Sequence, residues 1–190
     1  MSTSKKEIKI LVLGNPGVGK NTFIGQGSYK KFTGVADWLT RRLSVEGKLR
    51  TVKLWNGSQG GERFSSLGNR AEFYKSFDGC ILLYDITSTN SFSALESWKN
   101  EFCILRGIKD VTRYPLLIVG NKLDLEVQRT VQYHEAAEWC LQNGNLSFQE
   151  ISANSSPVDP ILEEIIRSVD ILDQESLKIN QEKTCKCLIF

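Results

Sequence analysis

Residues 8–21 read Ile-Lys-Ile-Leu-Val-Leu-Gly-Asn-Pro-Gly-Val-Gly-Lys-Asn, and the rest of the chain can be ordered around that stretch. Its first six residues are mostly apolar and run straight into Gly14, which predicts a buried strand ending in a turn. Gly14 to Lys20, with Asn15, Pro16, Gly17, Val18 and Gly19 between them, then matches Gly-x-x-x-x-Gly-Lys, the phosphate loop of a P-loop NTPase. Glycine is needed where backbone amides turn inward around a β-phosphate, and the lysine bridges the β- and γ-phosphates as a point charge. A helix start at about Gly19 would bring further backbone N–H groups to the anion. The next position calls for a Ser or Thr hydroxyl on Mg²⁺, but it holds Asn21. Thr22 follows and lies on another side of the helix, so it is a poor substitute. The substitution weakens the metal site more than the phosphate site.

Working outward, Trp38–Glu46 and Leu49–Trp55 read as a hairpin joined at Glu46-Gly47-Lys48. Asn56 to Gly61, with three glycines in six residues, reads as loop. Leu67 to Phe77 is predicted helical. Residues 80–84 and 116–119 are continuous apolar runs suited to central parallel strands. Ser91–Leu105 and Val131–Gln142 have helical apolar spacing, and Phe148–Ile151 is a short last strand. Asp159 can cap a final helix with Pro160 in its first turn. This alternation predicts an α/β three-layer sandwich with a mostly parallel six-stranded sheet. The organisation expected is a flexible 1–7, one domain over 8–171, and a flexible polar tail over 172–190.

Composition narrows the function classes. The 24 Lys and Arg against 22 Asp and Glu give no basic excess, so no nucleic-acid partner is expected. Residues 1–7 lack the apolar core of a signal peptide. Five cysteines suit no disulfide framework. Cys80, Cys103 and Cys140 sit among apolar neighbours and are expected as small buried thiols.

Base recognition comes from two loops after predicted strands. Asn121-Lys122-Leu123-Asp124 follows Gly120, and Ser152-Ala153-Asn154 follows Ile151. Loops at the carboxyl ends of neighbouring parallel strands are where ligands bind in such sheets. Asp124 can accept two hydrogen bonds from N1 and N2 of guanine, a donor pair adenine lacks. The Lys122 stem can lie over the ring, and the Ala153 amide can meet the base oxygen.

Together these residues resemble the Rab branch of Ras-like small GTPases, nearest its late-endosomal members. Further resemblance lies in Ala36-Asp-Trp-Leu-Thr40, Gly60 with Glu62-Arg-Phe64, Gly79–Asp85 and Ser91–Trp98. The resemblance implies GTP/GDP binding with Mg²⁺ and nucleotide-dependent switching. It also implies exchange factors, effectors and escort or GDI-like proteins as partners of a monomer. Thr33 stands at the family's switch threonine, which binds Mg²⁺, but the segment before it is several residues short. The second switch reads Trp55-Asn-Gly-Ser-Gln-Gly-Gly-Glu-Arg-Phe64, one residue longer than the family pattern. The family's metal-holding aspartate falls on Asn56 or Gly57, and its catalytic glutamine on Gly61. Gln59 lies before Gly60 and does not take that role, while Gly60 keeps a possible γ-phosphate backbone donor. Asn21, Thr33 and Asn56 therefore make a weak metal set, and no catalytic group is intact. Turnover is expected to be weak or absent, and a GDP-biased or nucleotide-independent binding module is the alternative to a switch.

The chain ends Cys185-Lys-Cys187-Leu-Ile-Phe190. Cys187 fits the C-a-a-X prenylation pattern, and Cys185 is a candidate for a second lipid. Two lipids would give stable attachment where one holds weakly. The expected place is the cytoplasmic face of endosomal or vesicular membranes, with a cytosolic pool.

Overall fold

Alternation along the strands decides which helices cover which face of the sheet. The computed structural model describes residues 7–26, 38–57 and 67–187, excepting the side chains of 67–69 and 179–187. In it β1 (Glu7–Leu13) sends Ile8, Ile10 and Val12 into one core and Leu11 and Leu13 into the other. β4 (Gly79–Asp85) and β5 (Leu116–Asn121) are buried at every position, as expected of central parallel strands covered on both sides. β2 (Trp38–Val45) and β3 (Lys48–Asn56) form an antiparallel hairpin. Its two turn residues, Glu46 (φ 50°) and Gly47 (φ 73°), are both left-handed, the geometry that matches strand twist. With β6 (Ser147–Glu150) the order is β2-β3-β1-β4-β5-β6, parallel except for β2.

One face is covered by α1 (Lys20–Gly25) and α6 (Asp159–Cys187), through Phe23, Ile24, Ile161, Leu162, Ile165, Ile166 and Val169. The other is covered by α2 (Leu67–Lys75), α4 (Leu95–Arg106) and α5 (Tyr133–Gln142), through Tyr74, Phe102, Leu105, Ala136 and Cys140. The three-layer sandwich is thus the observed fold. The carboxyl ends of β1, β4, β5 and β6 lie along one edge, so the loops after Leu13, Asp85, Asn121 and Glu150 converge there.

Four local expectations change. The helix expected over Ser91–Leu105 is two, α3 (Thr89–Ser93) and α4, parted at Ala94; Ser88 caps α3 through the Ser91 N–H. Asn56 is the last residue of β3, paired with Val12, and not loop. Cys80 and Cys140 are buried, but Cys103 is only half-buried because it lies near the outer side of α4. The chain does not turn irregular at 172 but continues in α6 to Cys187. That stretch holds no Gly or Pro and is rich in Leu, Gln, Glu and Lys, so propensity sustains the helix where polarity had implied a tail. Arg113 joins α6 at Glu175 (2.9 Å), an exposed pair of small energetic weight.

Candidate functional site

The phosphate loop is pressed against the sheet so tightly that only glycine fits at two points. Gly14 has φ 142°, and a Cβ there would lie 2.1 Å from the Leu83 carbonyl oxygen. Gly19 has φ 98°, and its Cβ would meet Asn121 Nδ2 at 2.3 Å. Lys20 is 5% exposed and donates from Nζ to the carbonyls of Gly14 (2.6 Å) and Asn15 (2.7 Å). Burial lowers its pKa to about 8. Beside it lies a cavity of about 400 Å³, lined by Pro16, Gly17, Gly19, Lys20, Asn21, Thr22 and Asn56. Thr22 borders the phosphate side after all. A second hollow, about 280 Å³, lies at the amino-terminal ends of β5 and β6, among Tyr114, Leu116, Ser147 and Leu172. It touches none of the predicted site residues.

On the metal side the structure joins two of the three predicted ligands to each other. Asn56 Nδ2 donates to Asn21 Oδ1 at 2.6 Å. Of Asn56 and Gly57, it is the Asn56 side chain that meets Asn21. A Cβ on Gly57 would fall 2.3 Å from Leu13 Cδ2, so that position is packed against β1. Thr33, Gly60, Gly61 and Gln59 lie outside the described residues. Among the described residues no three of His, Cys, Asp and Glu gather into a metal cluster.

The base side is built in depth. Asn121 is buried and binds both loops, donating from Nδ2 to Val18 O (2.8 Å) and accepting the Ala153 N–H at Oδ1 (2.9 Å). Asn121 therefore ties the phosphate loop to the loop after β6. The Ala153 amide, expected to meet the base oxygen, donates here to Asn121, since a buried N–H needs a partner. Lys122 adopts a left-handed φ of 69° that turns its side chain back, and its Nζ pairs with Asp85 Oδ2 at 2.6 Å. Burial pushes the Asp85 carboxyl up, but the Lys122 ammonium and Thr87 N–H and O–H together hold it below the ordinary carboxylate value. Asp124 is exposed and accepts from Ser152 Oγ, which fixes its carboxylate plane. Asn154, two residues after Ser152, is exposed.

Three groups escaped the sequence reading. Trp98, on α4, donates its indole Nε1 to Asn15 Oδ1 (2.8 Å) in the phosphate loop. Gln26, just past α1, donates to the carbonyls of Ala153 (2.8 Å) and Ser156 and accepts the Val158 N–H (2.7 Å). Arg129 makes a two-pronged pair with Glu150 (2.6 and 2.7 Å) beneath the base-side loops, with both side chains over nine-tenths buried. Gln26 and Arg129 belong to no short motif, and the Ser91–Trp98 stretch does not reveal what Trp98 bonds to. Near both switch segments, exposed Trp38 stacks on Trp55 (4.7 Å between ring centres), which meets Phe73 and Phe77 edge-on (5.9 Å each).

Comparison with known proteins agrees with this geometry. Residues 9–171 match the Ras family. The Ras-related protein Rab-7a of Dictyostelium discoideum is 40% identical over 163 residues, covering 82% of this chain and 79% of that protein. The Ypt/Rab-type GTPase avaA of Emericella nidulans is 38% identical over 177 residues, 88% of this chain and 85% of its own. The Ypt/Rab-type GTPase Rab7 of Neurospora crassa is 37% identical over 185 residues, 93% and 88% respectively. The phosphate loop, the base-side loops and these relatives agree, and the chain belongs to the Ras family as a small GTPase of Rab type, closely related to Rab7 proteins.

Proposed function

We propose that this chain is a guanine-nucleotide-binding protein of vesicular and endosomal membrane traffic that works through partner binding, with GTP hydrolysis weak or absent. The carrying observation is the contrast at one site: a complete base-side cluster beside an Asn21–Asn56 amide pair where metal-serving oxygens are required. In-line hydrolysis needs a neutralising metal and an oriented water, and loss of a positioned group commonly costs about 10²-fold or more. The same amide pair favours the second reading, a GDP-biased pseudo-GTPase that binds exchange factors or effectors without a cycle. The exposed Trp38 stack supplies an aromatic surface for such partners, since large aromatic rings are enriched at binding centres. Membrane attachment would run through prenyl groups on Cys187 and Cys185, with escort or GDI-like proteins handling the lipidated form. An intact-mass measurement on protein from a eukaryotic host should show at least one prenyl addition, and an unmodified terminus would refute it.

Calorimetry with GDP and ADP tests base recognition. GDP should win, and Asp124→Ala should weaken it by about 2–3 kcal/mol through loss of charge-assisted hydrogen bonds. Equal GDP and ADP affinities would sink the reading. Single-turnover assays with labelled GTP decide between a slow switch and an inert module.

A further inference from the structure

The contact between Asn21 and Asn56 fixes which end of the Asn21 amide is free. Asn56 is 7% exposed and donates its Nδ2 to Asn21 Oδ1 at 2.6 Å. An amide committed at its oxygen keeps its NH₂ for other partners. Asn21 is exposed and lines the cavity beside the Lys20 ammonium; among the described residues its Nδ2 has no protein acceptor. A donor thus stands where the family places a metal-ligating oxygen. Mg²⁺ is hard, dehydrates reluctantly and is bound through carboxylates and phosphate oxygens in near-octahedral geometry. Here the one side-chain oxygen contributed by Asn21 already accepts an N–H, and the β3 side chain facing it is an amide presenting nitrogen. Among the described residues, Asn21 and Asn56 do not fit the ion.

We propose that Asn21 serves as a phosphate ligand in place of a metal ligand: its Nδ2 hydrogen-bonds a β-phosphate oxygen directly, and Asn56 is the positioning residue that keeps the amide turned that way. Guanine nucleotide is then held by neutral and lysine donors without a divalent cation. The inference rests on the guanine-binding reading above. It also explains how both substitutions persist in one site, since each amide satisfies a bonding group of the other. Without a dication, the extra charge of a γ-phosphate goes unneutralised, so GDP is favoured over GTP.

The test is calorimetry of nucleotide-free full-length chain with GDP, in excess Mg²⁺ and in excess EDTA. The two affinities should agree within about threefold, and Asn21→Ala should weaken GDP roughly tenfold or more in EDTA, as expected for a lost hydrogen bond to a charged group. Asn21→Asp separates a ligand from a structural role. Its carboxylate repels phosphate, so GDP binding should collapse in EDTA and recover in Mg²⁺. Asn56→Ala, which frees the amide to rotate, should give a smaller loss of about threefold. Circular dichroism confirms that each variant is folded. Wild-type affinity that is roughly tenfold or more higher in Mg²⁺ overturns this inference alone. An Asn21→Ala variant with unchanged affinity in EDTA overturns it equally. No GDP binding in either buffer by folded wild-type chain would overturn the guanine-binding reading itself.

Discussion

The two halves of the nucleotide site are made differently. On the base side the side chains are held by one another: Asp124 by Ser152, Lys122 by Asp85, and the loops themselves by Asn121. Beneath them lies the Arg129–Glu150 pair. On the metal side, among the described residues, Asn21 and Asn56 meet through a neutral amide–amide hydrogen bond. A charged lattice tolerates few substitutions, because removing one member strands another in a low dielectric. A pair of amides is neutral, and it can replace an oxygen set without leaving a charge unpaired. The difference teaches that loss of metal chemistry need not loosen the rest of the site.

The strongest way to break this comparison is to remove Arg129. Both of its prongs to Glu150 are buried, and further bonds run to Glu126 (2.7 and 2.9 Å) and the Val131 carbonyl (2.9 Å). Arg129→Ala would leave Glu150 buried beside Tyr84 with its charge uncompensated. Such a loss costs about 3–5 kcal/mol. Urea unfolding of the variant measures it. A loss under about 1 kcal/mol would place the pair among surface ion pairs and remove the basis for calling the base side a lattice.

How much of this was legible beforehand follows from the range of each signal. The strands at 8–13, 80–84 and 116–119 announce themselves by local apolar runs, and the phosphate loop by glycines whose necessity is local. The hairpin was legible from Gly47, down to its turn. The braces were not. Gln26 and Val158 are far apart in sequence, as are Trp98 and Asn15, and their pairing depends on how α1, α4 and the last loop pack. For the same reason the Ala153 amide carries no sign of its partner in the chain. It looks free in sequence, and only the fold shows that Asn121 takes it. The extension of α6 past 171 was misread because polarity was weighed above helix propensity.

A middle-sized effect is expected where the two halves meet. Gln26 leaves the end of α1, on the phosphate side, and closes three hydrogen bonds onto the loop that follows β6. Gln26→Ala removes one acceptor and two donations from half-buried backbone groups, a cost of about 1–3 kcal/mol. If the halves are coupled, GDP affinity should fall along with stability, since the loop carries Ser152 and hence the setting of Asp124. Thermal unfolding and GDP calorimetry on the same variant sharpen this. Lost stability with unchanged GDP affinity would mean that the halves are joined but not coupled.

The smallest effect is a matter of pH. Asp85 is 7% exposed and ion-paired with Lys122, and its carboxyl titrates below the ordinary value of 3.8 in the folded chain. A carboxyl whose folded pKa is depressed contributes stability that is fully present above the unfolded value. That stability disappears as pH falls through the folded one. The Lys122 ammonium is then released from its anchor, so the left-handed turn at Lys122 loses its electrostatic hold. The urea midpoint of the wild type should exceed that of Asp85→Asn by a constant margin at neutral pH. The margin should begin to shrink only as pH drops below about 4, near the unfolded carboxyl pKa. The amide oxygen that this substitution retains can still accept from Thr87, so what the difference reads is the charge and not the turn. A margin that narrows well above that pH would mean that burial outweighs Lys122 at this position. The base side would then be held by hydrogen bonds more than by charge, which would bring it closer in kind to the amide pair on the metal side.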